Sequence, residues 1–463
     1  MPDLLLTHGY FLFDDPKELK IMKPYVPLGI LYICSHLRSK GFDVEVFDTT
    51  FSSLPDLTRR LETETPSVLG IYANLMTRKK VVEIIQIARA AGWKVIVGGP
   101  EPGAYVREYL DNGADVVVLG EGEVTMEELL LAIKEGSATS LARVEGIAFL
   151  DNGRLHQTPP RGQIPDLDSQ PWPARDAIDV GRYVKTWRDN HGQGSLSFIT
   201  ARGCPYKCRW CSHQVFGMTH RRRKPIAVVD EVEWLLSEYH PDMVWIADDV
   251  FTIHHGWLRQ YTAEMRRRGL RIPFECISRA DRLNEEVTDL LAELGCFRVW
   301  IGSESGSQRI LDAMDRGVTV AQVQSAVSAC KTRSIQTGMF LMWGYEGEEL
   351  QDIEATIEHV KRSDPDIFFT TVAYPIKGTP YHGRVSESLI QLKPWNETSD
   401  REIEMRGRKP THFYESADRL LRDEVQLARM KRGAATDISE RELRLRIQAS
   451  RQTLYGNNES VEA

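Results

Sequence analysis

From residue 4 to about residue 134, short apolar runs alternate with longer stretches in which apolar positions recur every three or four residues. The runs predict strands at 4–7, 43–48, 68–73, 94–97 and 116–119, and the longer stretches predict amphipathic helices such as 28–40 and 79–91. Strands alternating with helices imply a parallel sheet covered on both faces, a doubly wound Rossmann-like domain over 1–140. Ligands of such sheets bind beyond the carboxyl ends of the strands. Two glycine-rich turns leave strands directly there, Gly98-Gly99-Pro100 and Gly120-Glu121-Gly122-Glu123. Neither has the GxGxxG spacing of a dinucleotide site, so a plain tight turn is the alternative reading of each.

Beyond residue 136 the pattern loosens, with Pro159, Pro160, Pro165, Pro171 and Pro173 among polar residues and a hairpin signal at Asp151-Asn152-Gly153. Residues 141–190 therefore read as a linker. Strand patterns return at 196–200, 243–247, 274–277, 298–302, 337–342 and 367–372, separated by helical patterns that include 226–239, 257–268, 285–294 and 350–362. Six strand-then-helix units predict a partial (β/α)6 barrel over 191–385, with its chemistry at the carboxyl ends of the strands. The charged region 386–463 predicts surface-facing helices at 420–431 and 440–452 and a mobile end at 456–463.

Length and composition fit this division, since 463 residues suit two or three domains and 42% hydrophobic with 27% charged residues is ordinary for a globular protein. The net charge of -8 comes from mixed-sign runs and gives no general grip on phosphates, so nucleic acid is not an expected partner. No stretch offers the ~18 consecutive apolar residues of a membrane span. The start of the chain has no basic leader or cleavage pattern, which points to a cytoplasmic protein. The seven cysteines make no disulfide framework. Cys34, Cys276, Cys296 and Cys330 lie in apolar patterns and read as core.

The other three, Cys204, Cys208 and Cys211, share one short segment directly after the first barrel strand: TARGCPYKCRWCSH, residues 200–213. Thiolates are soft ligands suited to zinc or to iron–sulfur clusters. Three cysteine ligands on a four-iron cluster leave one iron open, as a chelating substrate requires. A zinc site completed by His213 or His220 is the alternative, but a structural zinc is out of place at the mouth of a barrel.

The CxxxCxxC run with Trp210 before its last cysteine resembles the signature of the radical S-adenosylmethionine (SAM) superfamily. The likeness extends over roughly residues 1–385 and is to the cobalamin-binding branch, typified by anaerobic magnesium-protoporphyrin ester cyclases and class B radical methyltransferases. Asp248-Asp249-Val250-Phe251 resembles the acidic turn of that branch after the second strand, and Ser278-Arg279-Ala280-Asp281 its segment after the third. Gly302 to Gln308 resembles the GxESG segment, and Gly344-Tyr-Glu-Gly347-Glu348 the GxPGE segment, with Glu346 in place of proline. Tyr374 to Pro380 resembles the last segment, with Lys377 in place of its second proline.

The resemblance implies a 4Fe-4S cluster on Cys204, Cys208 and Cys211, with SAM chelating the open iron and cleaved to methionine and a 5′-deoxyadenosyl radical. It would place Trp210 by the adenine, Glu304 on the ribose hydroxyls or the ammonium, and Asp248 or Asp249 near the ammonium, with the other capping a helix. Arg279 would meet the SAM carboxylate or form a structural ion pair, and Arg202 would serve the loop through hydrogen bonds to carbonyls. Gly98, Gly99, Gly120 and Gly122 would let backbone approach cobalamin, with Leu28 on the corrin face. The chain has no DxHxxG segment, and neither His8 nor His36 supplies one. Bound cobalt would thus lack the usual lower histidine, and a domain that binds no cobalamin stays open.

The expected function is hydrogen abstraction from an unactivated carbon of a small molecule, with cobalamin-dependent C-methylation as its outcome; oxidative cyclisation or dehydration of a diol is the alternative. An electron donor such as flavodoxin or ferredoxin is the implied protein partner. The run Arg221-Arg222-Arg223-Lys224 reads either as a solvated turn or as a positive patch for an acidic substrate or that donor. Trp300, Phe340, Met342, Trp343, Tyr345, Phe368 and Tyr374 suggest a partly apolar cavity, with core packing the alternative for most.

Overall fold

The computed structural model describes residues 2–213 and 215–456. Residues 457–463 of the expected mobile end lie outside the described residues. The first sheet is built from β1 (Leu4–His8), β2 (Val44–Phe47), β3 (Val68–Tyr72), β4 (Lys94–Gly98) and β5 (Val116–Val118), all parallel, extended by β6 (Ile147–Asp151) and β7 (Arg154–Gln157), which run antiparallel. Its order is β2-β1-β3-β4-β5-β6-β7. The first five strands thus have the flavodoxin-like order, whose switch point lies between β1 and β3.

Alternation along β1 shows why the sheet is covered on both sides. Leu5 packs with Val81, Ile85 and Tyr109 on one face, and Leu4 and Leu6 pack with Ile30, Leu37 and Leu129 on the other. The hairpin signal is met by Asn152 and Gly153, with φ of 49° and 78°, between β6 and β7.

The segment expected as a linker, 141–190, therefore adds two strands to the first sheet. It goes on to form the helix Val180–His191, whose Val180, Tyr183 and Val184 pack into the core of the second domain. The proline-rich part between these elements is what weakens the pattern in the sequence.

The second sheet contains β8 (Ser195–Phe198), then, after the short antiparallel ladder of β9 (Ala201–Arg202) and β10 (Arg221–Arg222), β11 (Met243–Ile246), β12 (Phe274–Ser278), β13 (Cys296–Glu304), β14 (Gln336–Trp343) and β15 (Ile367–Val372). All six of its strands are parallel in the order β15-β14-β13-β12-β11-β8. The first and last strands do not pair, so the barrel is open on one side, as six units predict. Each expected strand lies within two residues of the observed one.

The C-terminal helices cover the barrel more than their charge suggests. Helix Thr411–Lys431 buries Phe413, Ala417, Leu420, Leu421 and Val425 against Leu341, Trp343, Ile353, Ile357 and Val360, and helix Glu440–Gly456 adds Leu443, Ile447 and Leu454. Both helices are amphipathic, with their charged faces outward. Among the described residues no helix is long and apolar enough to cross a membrane.

Candidate active site

The first domain lies over the carboxyl ends of the barrel strands, and between them is a cavity of about 750 Å³. Leu28, Tyr72, Gly98, Gly99, Gly120 and Gly122 line one wall; Cys204, Cys208, Trp210, Cys211, Asp249, Arg279 and Glu304 line the other. All the candidate site residues except Asp248 meet on this one space.

The cysteine loop leaves β8 through Thr200, whose backbone N–H donates to Asp248 at 2.6 Å and whose hydroxyl donates to the other Asp248 oxygen. Asp248 also accepts from Ala201 N–H at 3.1 Å and Arg222 at 2.9 Å, and it is 2% exposed. Its neighbour Asp249 faces the cavity, where burial and the charge of Asp248 hold its carboxyl above the usual range. The two aspartates are thus distinguished. Asp248 fixes the strand end before the cysteines, and Asp249 is presented to the cavity.

The three thiols line one cavity, the charge of Cys208 acts on Cys204 and Cys211, and burial pushes the Cys211 thiol up to about 12. Guanidinium groups approach Cys208 Sγ from Arg316 (3.5 Å) and Arg279 (3.8 Å). Arg279 stacks 3.6 Å from the ring centre of Tyr206 and donates to Asp281 at 2.9 Å and to the Arg316 carbonyl at 2.9 Å, so its donors serve the loop and its surroundings. Nothing in the local sequence singles out Arg316. It lies in a turn after helix Gln308–Ala313, and no periodicity marks it.

Glu304 ends β13 where the β13–β14 register shifts, and its φ of 61° is unusual for a residue with a side chain. The shift aims the carboxylate inward, 5% exposed, 3.7 Å from Arg316 Nε, and burial pushes it up to about 7. Gly302 makes room for both groups, because a Cβ there would lie 2.5 Å from Arg316 and 2.7 Å from Glu304.

The chain's fit to the implied cofactors rests on three features. Three thiolates on one loop suit an iron–sulfur cluster, with two guanidinium groups to balance its charge. His220 lies 5.0 Å from the His254 ring, and burial and Arg222 push it down to about 4. Trp210 Nε1, Ser212 Oγ and His213 Nε2 are buried on the cavity without a hydrogen-bond partner among the described residues, which suits a polar nucleotide ligand. On the opposite wall, a Cβ on Gly99 (φ 117°) would lie 2.3 Å from the Ala73 carbonyl, and one on Gly122 would lie 2.7 Å from Ile33. These turns bring bare backbone to the cavity.

The basic run turns inward. Arg221 reaches Glu121 at 2.7 Å; Arg222 lies between Asp248 and the Trp257 ring, 4.3 Å away; Arg223 pairs with Glu231, which also holds Arg175 at 2.8 Å. These arginines hold parts of the fold together and form no exposed positive patch. Among the aromatic candidates, Phe340 lines the cavity and Trp300 stacks on it at 5.2 Å. Met342, Trp343 and Tyr345 are core, Phe368 packs outward near the C-terminal helix, and Tyr374 sits 5.2 Å from Arg401. Cys34, Cys276, Cys296 and Cys330 are buried, as core residues are.

A flavodoxin-like domain closes over an open parallel barrel that carries a three-cysteine loop at its mouth, with a cavity between the two. Residues 19–130 match the B12 binding domain family, and residues 198–360 match the radical SAM superfamily. An uncharacterized methyltransferase of Pyrococcus horikoshii is 30% identical over 80% of this chain and 80% of its own length. An anaerobic magnesium-protoporphyrin IX monomethyl ester cyclase of Rubrivivax gelatinosus is 27% identical over 74% of this chain and 63% of its own. The solved structure of the radical SAM methyltransferase TsrM from Kitasatospora setae, with cobalamin and a [4Fe-4S] cluster bound, has a TM-score of 0.72 at 20% identity, covering 98% of this chain and 99% of that one. The chain belongs to the radical SAM superfamily, in the branch that carries an N-terminal cobalamin-binding domain. It is accordingly an enzyme of SAM-dependent radical chemistry.

Proposed function

We propose that this enzyme methylates an unactivated carbon of a small, largely apolar molecule in the cavity between its domains. The observation that carries the reading is that three thiols, two carboxylates and a glycine-lined wall all open on one cavity. Cys204, Cys208 and Cys211 would hold the 4Fe-4S cluster. When bound, the cluster and SAM supply a 5′-deoxyadenosyl radical for hydrogen abstraction, and methylcobalamin supplies a methyl group. Trp210 would flank the adenine. Glu304 would accept hydrogen bonds from the ribose or the ammonium, and Asp249 from the ammonium. Arg316 and Arg279 balance the thiolate charge at Cys208. The turns at Gly98–Gly99 and Gly120–Gly122, with Leu28, would hold the corrin at the opposite wall. Ile33, Val118, Trp245, Ile277 and Phe340 give the intervening space an apolar lining that excludes water from a reactive radical.

The cyclase among the relatives favours a second reading, hydrogen abstraction without methyl transfer. Anaerobic turnover with product analysis separates the two. Methylation consumes a second SAM and yields S-adenosylhomocysteine with 5′-deoxyadenosine; deoxyadenosine alone refutes methylation. The reductant would be a flavodoxin or ferredoxin, and the reduced thiols suit a cytoplasmic setting. The functional units would be a cobalamin-binding domain over 1–140, a barrel over 191–385 joined to it through 141–190, and a helical cover over 386–463.

A further inference from the structure

The base of the cysteine loop is closed by the ladder of β9 and β10, which pairs Arg202 with Arg221. Both arginines reach across to the first domain. Arg202 donates from Nη1 to Glu121 at 2.8 Å and from Nη2 to Glu123 at 2.6 Å, with its guanidinium 5.0 Å from the Tyr32 ring centre. Arg221 donates to the second Glu121 oxygen at 2.7 Å and to the Ile164 carbonyl at 2.7 Å; the same Glu121 oxygen accepts Ile164 N–H at 2.9 Å. Arg202, Glu121 and Glu123 are 5%, 7% and 4% exposed.

The network joins the two walls of the cavity by a short path, two stretches of backbone bridged by the ion pairs. Glu121 stands between Gly120 and Gly122 on the cobalamin-side turn, and Arg202 is two residues before Cys204. Buried ion pairs lose much of their attraction to desolvation, so net stability is a weak reason for them. Their directional hydrogen bonds do define a register, which apolar contact between two domains would leave free to slide.

We propose that Arg202, with Arg221, is a positioning residue that fixes the spacing between the glycine turn and the cysteine loop, and so between the two cofactors. The inference rests on the reading under "Proposed function". It requires cofactors on both walls and adds which residues set the gap between them.

The test uses the full chain reconstituted anaerobically with iron, sulfide and hydroxocobalamin. Arg202→Met keeps the packing on Tyr32 without the donors, Arg202→Lys keeps the charge, and Glu123→Gln loosens one arm while leaving Arg202 paired to Glu121. Iron and cobalt per chain, cobalamin affinity, and the magnetic interaction between reduced cluster and cob(II)alamin are measured. We expect unchanged iron in all three variants. In Arg202→Met the inter-centre interaction broadens and cobalamin affinity falls about tenfold, an ordinary size for coupled sites. Glu123→Gln and Arg202→Lys fall between it and the parent. A parent-like interaction and affinity in Arg202→Met overturns the inference, as does iron loss in Arg202→Met and Glu123→Gln alike, which would make Arg202 a brace of the loop. Failure of the parent protein to take up cobalamin overturns the functional reading and this inference together.

Discussion

Glu304→Gln replaces a carboxylate oxygen with an amide at a position 5% exposed, and its effects on stability and on binding have opposite signs. Burial pushes Glu304 up to about 7 from an ordinary 4.5, despite the opposing charges of Arg316 and Arg279. The folded chain therefore keeps a proton that the unfolded chain releases. The stability linked to that proton is fully present below pH 4.5 and is lost as pH rises through about 7. The gap of roughly 2.5 pH units corresponds to about 3 kcal/mol. Glutamine has no charge to bury, so ligand-free Glu304→Gln should melt like the parent near pH 5 and be more stable by up to about 3 kcal/mol at pH 8. The same change removes a charged acceptor for SAM, whose loss costs about 1.5–3 kcal/mol, or roughly 10- to 150-fold in affinity. Calorimetric melting between pH 5 and 8.5, with SAM titration of reconstituted protein, reads both effects. Parallel melting curves at every pH would refute the buried-charge argument, and unchanged SAM affinity would refute the ligand role.

Gly99→Ala places a Cβ 2.3 Å from the Ala73 carbonyl at φ 117°, so cobalamin uptake should collapse while iron content per chain stays at the parent value; equal cobalt loading would show that this turn does not meet the cofactor. Gly338→Ala drives a methyl to within 2.2 Å of the Trp300 ring, which stacks on Phe340 and Phe369, and overpacking of this kind costs about 1–3 kcal/mol, seen in melting and near-ultraviolet dichroism. Arg222→Met leaves Asp248 buried with, among the described residues, the donors of Thr200 and Ala201 and no cation, a loss of about 3–5 kcal/mol. That loss should hardly change on raising salt, whereas an exposed patch would show a small effect that salt screens away.

The parallel strands of both sheets are legible because each combines an apolar run with a turn or helical period at its ends. The cysteine loop was legible because its spacing is local. What was not legible depends on partners far away in the chain. Arg221, Arg222 and Arg223 look like a solvated cluster until Glu121, Asp248 and Glu231 are brought to them by three different elements. Asp248 and Asp249 are neighbours with the same chemistry, and only the hydrogen bonds from Thr200 and Ala201 tell them apart. The sequence alone suggests loop carbonyls as partners of Arg202, whereas it meets two carboxylates of the other domain. The pair β6–β7 falls within the expected linker because both strands are short, β7 is polar and prolines follow it at once, and their place in the sheet is set by pairing with β5.

The most direct test of the radical SAM assignment is the iron and sulfide content of the anaerobically reconstituted parent and of Cys204→Ala, Cys208→Ala and Cys211→Ala proteins, with deoxyadenosine released from SAM on reduction. The parent should carry about four irons and four sulfides on the cluster and form deoxyadenosine, and each variant should lose both. Variants that keep a full complement of iron and still cleave SAM would contradict the account.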